Sequence, residues 1–300
     1  MTRPHPYAAH ELLVRPARQK PEIWRLLVGL VVVVASFLIL QNLAGTMLRA
    51  LFPGFWLREI ATSGPIGATP GSMLVLLSGF GFLIVGVQLA GRMLQGRGLS
   101  GMFGPARIWL FHFRKVLVGL VLLTLAIAVL PPWGVAEAPL PHLPFATWAG
   151  LLPLSLLALM IQVTGEEVLF RGYIQQSLAA RFASPWMWMV LPSVLFAIGH
   201  YDPTLQGESA WIIAVWAGLF GIALADLTAR AGTLGPAMAV HFANNAGPLL
   251  FAAPQGAMQG LALYLLPFSL DELAASADWL LFDGMMILIT WLVARLAIRR

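Results

Sequence analysis

The sequence predicts an all-α polytopic membrane protein of about eight transmembrane helices, with both termini in the cytoplasm. Three observations predict it. Hydrophobic residues make up 59% of the 300 residues and charged residues 10%, against roughly 45–50% and about 25% in soluble domains. Charge is therefore too scarce to cover a globule, and part of the solvent must be lipid. The apolar residues gather in eight runs of about the length a helix needs to cross a hydrocarbon core, ~20 residues. Lysine and arginine favour alternate connecting segments, as residues retained on the cytoplasmic side do. These observations exclude a cytosolic enzyme, a disordered scaffold and a secreted disulfide module. The absence of cysteine excludes thiol catalysis, disulfides and cysteine-ligated zinc.

The runs cover 24–43, 72–90, 108–130, 145–180, 186–200, 211–228, 235–251 and 279–297. The first three and the last are long and almost uncharged. The fourth is interrupted by Glu166, Glu167 and Arg171, and the fifth is short and runs into Tyr201-Asp202-Pro203. With the N-terminus inside, inner segments hold all of the 18 basic residues except Arg49 and Arg58. The outer segments after the fifth and seventh runs carry Asp202, Glu208, Asp271, Glu272 and Asp278 and no base. Seven spans would break this alternation. The net charge of +5 thus reads as membrane topology, and no nucleic-acid partner is expected. Residues 1–22 are polar and basic and lack the layout of a signal peptide, so they read as a cytoplasmic tail. The Gly- and Pro-rich stretches 62–71 and 131–144 read as external loops. No internal repeat is visible. Two lysines against sixteen arginines, with abundant Ala, Leu and Gly, suggest a GC-rich bacterial genome and hence a multi-pass protein of the bacterial inner membrane.

An ionisable side chain at bilayer depth is costly and is a functional candidate by default. In Thr164-Gly-Glu-Glu-Val-Leu-Phe-Arg171, Glu167 and Arg171 are four apart and can pair on one helix face. Glu166 points about 100° away, free to serve as a general base. The structural alternative is an interfacial turn, with Thr164-x-x-Glu167 as a capping box and the acids solvated in a first turn. His200 closes Phe196-Ala-Ile-Gly-His200; a lone histidine there is more often a hydrogen-bonded structural residue. His241 and Asn245 share a face and can donate to one oxygen, or else join helices. Asp226 pairs with Arg230 four residues on, and is structural. Glu167 lies 17 residues before the turn at Ser184 and His200 lies 16 after it. Each is then ~25 Å along its helix, so an antiparallel hairpin puts them at similar depth. His241 and Asn245, ~14 and ~20 Å beyond the turn at Gly232, reach the same region.

These motifs, Glu166-Glu167-x-x-x-Arg171, Phe196-x-x-x-His200 and His241-x-x-x-Asn245, each in its own apolar span and in this order, resemble the CPBP family. This is the CAAX-protease and bacteriocin-processing (Abi) family of intramembrane endopeptidases. The resemblance covers about 145–251. It implies a catalytic core at 145–252; the spans and loops read above add a tail at 1–22, N-terminal transmembrane helices at 23–144, and an external loop with the final helix at 253–300. It also implies a peptidase that hydrolyses a membrane-associated protein or peptide by an activated water. In that mechanism Glu166 is the general base and His200 orients and polarises the water. His241 and Asn245 form the oxyanion site, and Glu167 with Arg171 is the supporting pair. No metal or other cofactor is expected, because the glutamates are adjacent and no His-Glu-x-x-His is present; zinc, held by the same His/Glu set in a metallo-type enzyme, is the alternative. Partners are then a protein or peptide substrate and the bilayer. A serine rhomboid lacks its Gly-x-Ser-Gly here, and a presenilin-like protease lacks its second aspartate. The competing functions are a non-catalytic immunity or regulatory protein on the same fold and, further off, a transporter with a carboxylate relay.

Overall fold

The computed structural model describes residues 6–62, 64–130, 138–256, 258–269, 271–272 and 276–299. The first five residues of the expected tail, positions 131–137 of the expected loop, parts of the 62–71 and 253–300 segments, and Arg3 and Arg300 lie outside them. Numbering the longer helices in order, α1 is Glu11–Ala17, α2 Ile23–Leu51, α3 Pro70–Gln95, α4 Ala106–Val129, α5 Phe145–Arg181, α6 Trp186–Gly199 and α7 Gly207–Ala231. They are followed by α8, Gly235–Ala246, and α9, Ala277–Ile298. Six of these, α2 to α5, α7 and α9, are long and apolar enough to cross a membrane. The expected fifth and seventh spans are helical too, but shorter. The helix α6 ends at Gly199, and α8 has 12 residues and passes into a π turn at Gly247–Phe251.

Local chemistry sets the ends. Thr69 caps α3, its hydroxyl accepting from the Ser72 amide at 3.2 Å, and Pro70 takes the first helical position, where its missing N–H costs nothing. Gly232 closes α7 in the left-handed conformation, φ 66°, as C-terminal glycines do. The helix α5 begins at Phe145 and runs unbroken to Arg181. Thr164 and Glu167 are therefore interior residues. The reading of the two acids as solvated first-turn residues behind a capping box is overturned: no helix begins there. Over Val168–Ile174, directly after the acids, α5 widens into π geometry, a distortion concentrated at functional sites.

Close approach of backbones builds the core of the bundle. A Cβ at Gly165 would stand 2.6 Å from the Phe80 carbonyl oxygen of α3, and one at Gly235 would stand 2.3 Å from the Trp109 carbonyl oxygen of α4. Small residues at such crossings let membrane helices gain van der Waals contact where lipid gives no hydrophobic drive. Hydropathy does not signal one feature, a small sheet of β1 (Leu140–Pro141), β2 (Ala252–Gln255) and β3 (Tyr264–Ser269), in the order β1-β3-β2. It ties the segment before α5 to the one after α8, and the Trp148 indole donates to Leu250 O at 2.7 Å beside it.

Two polar clusters brace the opposite end. Asp226 accepts from Tyr7 Oη at 2.8 Å, Arg230 Nε at 2.8 Å and Trp291 Nε1 at 2.9 Å, so one carboxylate joins the N-terminal segment, α7 and α9. Arg97, buried just beyond α3, donates to Gln95, Gln176, Ser177 and the Tyr173 carbonyl. Burial pushes its guanidinium down to about 10, and neutral amides rather than an acid hold it.

Candidate active site

The helices α5 and α8 face one another, and each contributes polar residues at four-residue spacing, one turn apart on one face. On α5 these are Gln162 and Glu166, with Glu167 beside them; on α8 they are His241 and Asn245. Two rungs cross between the helices. Asn245 Nδ2 donates to Gln162 Oε1 at 3.1 Å. One turn along, His241 Nε2 stands 3.4 Å from Glu166 Oε2. That distance is within ion-pair range, yet it does not complete a hydrogen bond, because Glu166 Oε2 is buried and accepts none from the described residues.

The other face of the imidazole is fixed. His241 Nδ1 donates to Glu167 Oε1 at 2.8 Å, since a carboxylate oxygen can only accept there. The same oxygen accepts from Arg171 Nη1 at 2.9 Å. Arg171 also donates to the Gly221 carbonyl of α7 at 3.2 Å, and its guanidinium lies 4.7 Å from the centre of the Phe196 ring. Glu167, Arg171 and His241 are almost wholly buried, and Glu166 keeps 7% of its surface. Two carboxylates, a guanidinium and an imidazole thus form a continuous chain, Arg171–Glu167–His241–Glu166. With the imidazole protonated its formal charge is zero. Charges this deep are tolerable only when paired and hydrogen-bonded, and this chain meets most of that demand.

The structure places the six sequence-predicted residues as follows. Glu166, Glu167, Arg171 and His241 are in one network, and Asn245 joins it through Gln162. His200 stands apart from that network's hydrogen bonds. Its Nδ1 donates to the Phe196 carbonyl at 2.8 Å, and its ring packs 4.2 Å from the Phe196 ring centre, while His241 lies 6.0 Å from that ring on an edge-on approach. Both histidines therefore pack on one phenyl group. With Nδ1 carrying its proton, a neutral His200 presents a lone pair at Nε2. His200 and Asn245 are half-buried, the more open members of the set. Sequence reasoning missed Gln162, one turn before Glu166 on the same face; its signal was a lone amide in an otherwise apolar run.

As a metal centre the donor set is incomplete. Among the described residues no three His, Asp or Glu side chains are grouped as ligands. Glu167 Oε1 is already bound to a guanidinium and to Nδ1–H, and His200 Nε2 is not grouped with Glu166 and His241 as a ligand. The chemistry proposed for these side chains is routed through no metal.

Residues 148–247 match the family described as Type II CAAX prenyl endopeptidase Rce1-like. This stretch contains every residue of the network. Over 266 residues the chain is 24% identical to the uncharacterized protein YyaK of Bacillus subtilis (strain 168), covering 82% of this chain and 84% of that one. That similarity extends well beyond the family match. No solved structure matches the chain. The family model that residues 148–247 match is thus of the CAAX-protease type read from the three motifs, in a chain with six helices, among the described residues, long and apolar enough to cross a membrane.

Proposed function

We propose that the protein is an intramembrane endopeptidase that hydrolyses a peptide bond of a membrane-associated protein or peptide, with Glu166 as general base. The observation that carries the proposal is the environment of Glu166. It faces an imidazole whose other nitrogen is held by Glu167, and its Oε2 spends no lone pair on a protein donor. A carboxylate so placed takes a proton from water, while the imidazole that faces it exchanges one proton with it.

In this reading water O–H breaks as Glu166 accepts its proton, and the water oxygen bonds to the scissile carbonyl carbon. The oxyanion that develops accepts a hydrogen bond from the second N–H of Asn245, while the Nε2 lone pair of His200 accepts from the attacking water and orients it, both on the open side of the site. The proton held between Glu166 and His241 Nε2 then passes to the leaving nitrogen as the C–N bond breaks. Arg171 and Glu167 keep the imidazole in one orientation, as the buried acid of a Ser-His-Asp triad does for its histidine. This differs from the roles expected by resemblance: His241, rather than His200, is the direct partner of Glu166.

The enzyme is of the glutamic rather than the metallo type in this reading, embedded in a bacterial inner membrane, with 145–252 as the catalytic core. The test is substrate trapping. Membrane proteomes of cells carrying the wild-type chain and Glu166→Ala, at equal abundance, are compared for uncut precursors and missing new termini. Precursors that accumulate only with the variant support the peptidase and name its substrate. Indistinguishable proteomes favour a non-catalytic immunity or regulatory role.

A further inference from the structure

Away from the candidate site, the first turns of α4 and the last turn of α9 enclose a groove of about 910 Å³. Its polar lining is cationic: Arg107, Arg114 and Lys115 from α4, and Arg299 just past α9. No acid lines it. All four cations are exposed, and none makes an ion pair with a described acid. Among the described residues one ring meets them: Lys115 Nζ lies 4.7 Å from the centre of Phe111.

The groove changes character along its length. Arg107, Phe111, Arg114, Lys115, Val118 and Leu122 recur at the three- and four-residue steps of one helix face. The first part of that stripe, ~12 Å from Arg107 to Lys115 at 1.5 Å per residue, is basic. The next two turns are apolar, and Val118 and Leu122 are 58% and 60% exposed. In a chain that spans a bilayer, those apolar turns face acyl chains, and the basic turns lie at headgroup depth.

We infer that this groove is a binding site for an anionic phospholipid, its phosphate among Arg107, Arg114, Lys115 and Arg299 and one acyl chain along Val118 and Leu122. Charge complementarity selects the headgroup: four cations without a counter-acid attract a net negative group. A choline or ethanolamine headgroup would bring its own cation to a surface that offers no acid to meet it. Basic pockets between transmembrane helices are the usual means of holding anionic lipids. The apolar half argues for a lipid over a soluble anion, since a free phosphate gains nothing from Val118 and Leu122. The inference is independent of the peptidase reading.

The test uses the purified full-length protein in detergent. It is offered equal amounts of phosphatidylglycerol and phosphatidylcholine with the same acyl chains, and retained lipid is measured by native mass spectrometry. Retention of phosphatidylglycerol over phosphatidylcholine by roughly tenfold is expected. Arg114→Gln with Lys115→Gln should reduce that preference at least to about twofold, while the charge-preserving swap Arg114→Lys with Lys115→Arg keeps it and shows that the double change is tolerated by the fold. Removing two cations elsewhere at the same end, Arg15→Gln with Arg181→Gln, should leave the preference intact. Equal retention of both lipids by the wild type would overturn the inference. So would a preference that survives Arg114→Gln/Lys115→Gln, one that falls equally with Arg15→Gln/Arg181→Gln, or glycerol phosphate binding as well as the whole lipid.

Discussion

Glu167 Oε1 lies 2.8 Å from His241 Nδ1, and this contact decides which nitrogen the imidazole turns toward Glu166. The two acids are neighbours in sequence, yet they meet opposite sides of the same ring. Helix geometry makes this division: adjacent side chains diverge by about 100°, so Glu167 faces Arg171 one turn on and Glu166 is left beside Nε2.

Breaking the Glu167–Arg171 pair should cost more than removing it. Arg171→Met strands a buried carboxylate and Glu167→Gln strands a buried guanidinium, each expected to destabilise by about 3–5 kcal/mol. The double variant should lose less than the sum, because it leaves no unpaired charge. Thermal unfolding in detergent across this double-mutant cycle checks it; additive losses would mean that the two side chains do not stabilise one another.

The Asn245–Gln162 rung should separate activity from stability. Asn245→Ala removes one neutral hydrogen bond, about 1 kcal/mol of stability, but should lower processing on the order of 10²-fold through loss of an oxyanion donor. Gln162→Ala should cost similar stability and a smaller share of the rate, since Gln162 acts by holding Asn245. Equal rate losses in the two variants would place Gln162 in direct contact with substrate instead.

Gly165 sets the spacing of α3 and α5 beside the acids. Gly165→Ala puts a methyl 2.6 Å from the Phe80 carbonyl oxygen, and overpacking of this kind costs about 1–3 kcal/mol. A lower midpoint of thermal unfolding is expected. A midpoint equal to wild type would show that the helices part without penalty.

Docking of the N-terminal segment should depend on pH. His10 is buried against Trp188, with ring centres 4.8 Å apart, and burial lowers its imidazole to about 4. The undocked chain binds a proton near pH 6.5, so docking is at full strength above that value. It weakens as pH falls from about 6.5 to 4, by a total of roughly 3 kcal/mol. Hydrogen exchange over residues 8–17, corrected for intrinsic rates, should show protection that falls across this window, and His10→Phe should abolish the dependence. Protection that is flat in the wild type would contradict the buried neutral imidazole.

The helices long enough to cross a membrane were legible in the sequence because long hydrophobic runs report directly on lipid contact. The polar residues inside them were legible because each is costly there, as Glu166, Glu167, Arg171, His241 and Asn245 all are. What stayed hidden was partner choice. The depth argument placed Glu167 and His200 level across a hairpin, but equal depth does not say which faces meet. Both histidines pack on Phe196, but α8 rather than α6 presents its imidazole to the acids. Gln162 and the Arg97 amide cluster were hidden because a lone amide carries no periodic signal. The sheet was hidden because its strands are two to six residues long and lie within stretches that read as loops.

The most direct test of the central claim is the rate of substrate processing with Glu166→Gln, measured from the appearance of new termini in membranes that hold the variant and the wild type at equal abundance. The change preserves shape and removes the base. The account predicts a loss of at least about 10²-fold with normal accumulation of the protein. Processing at the wild-type rate would contradict it.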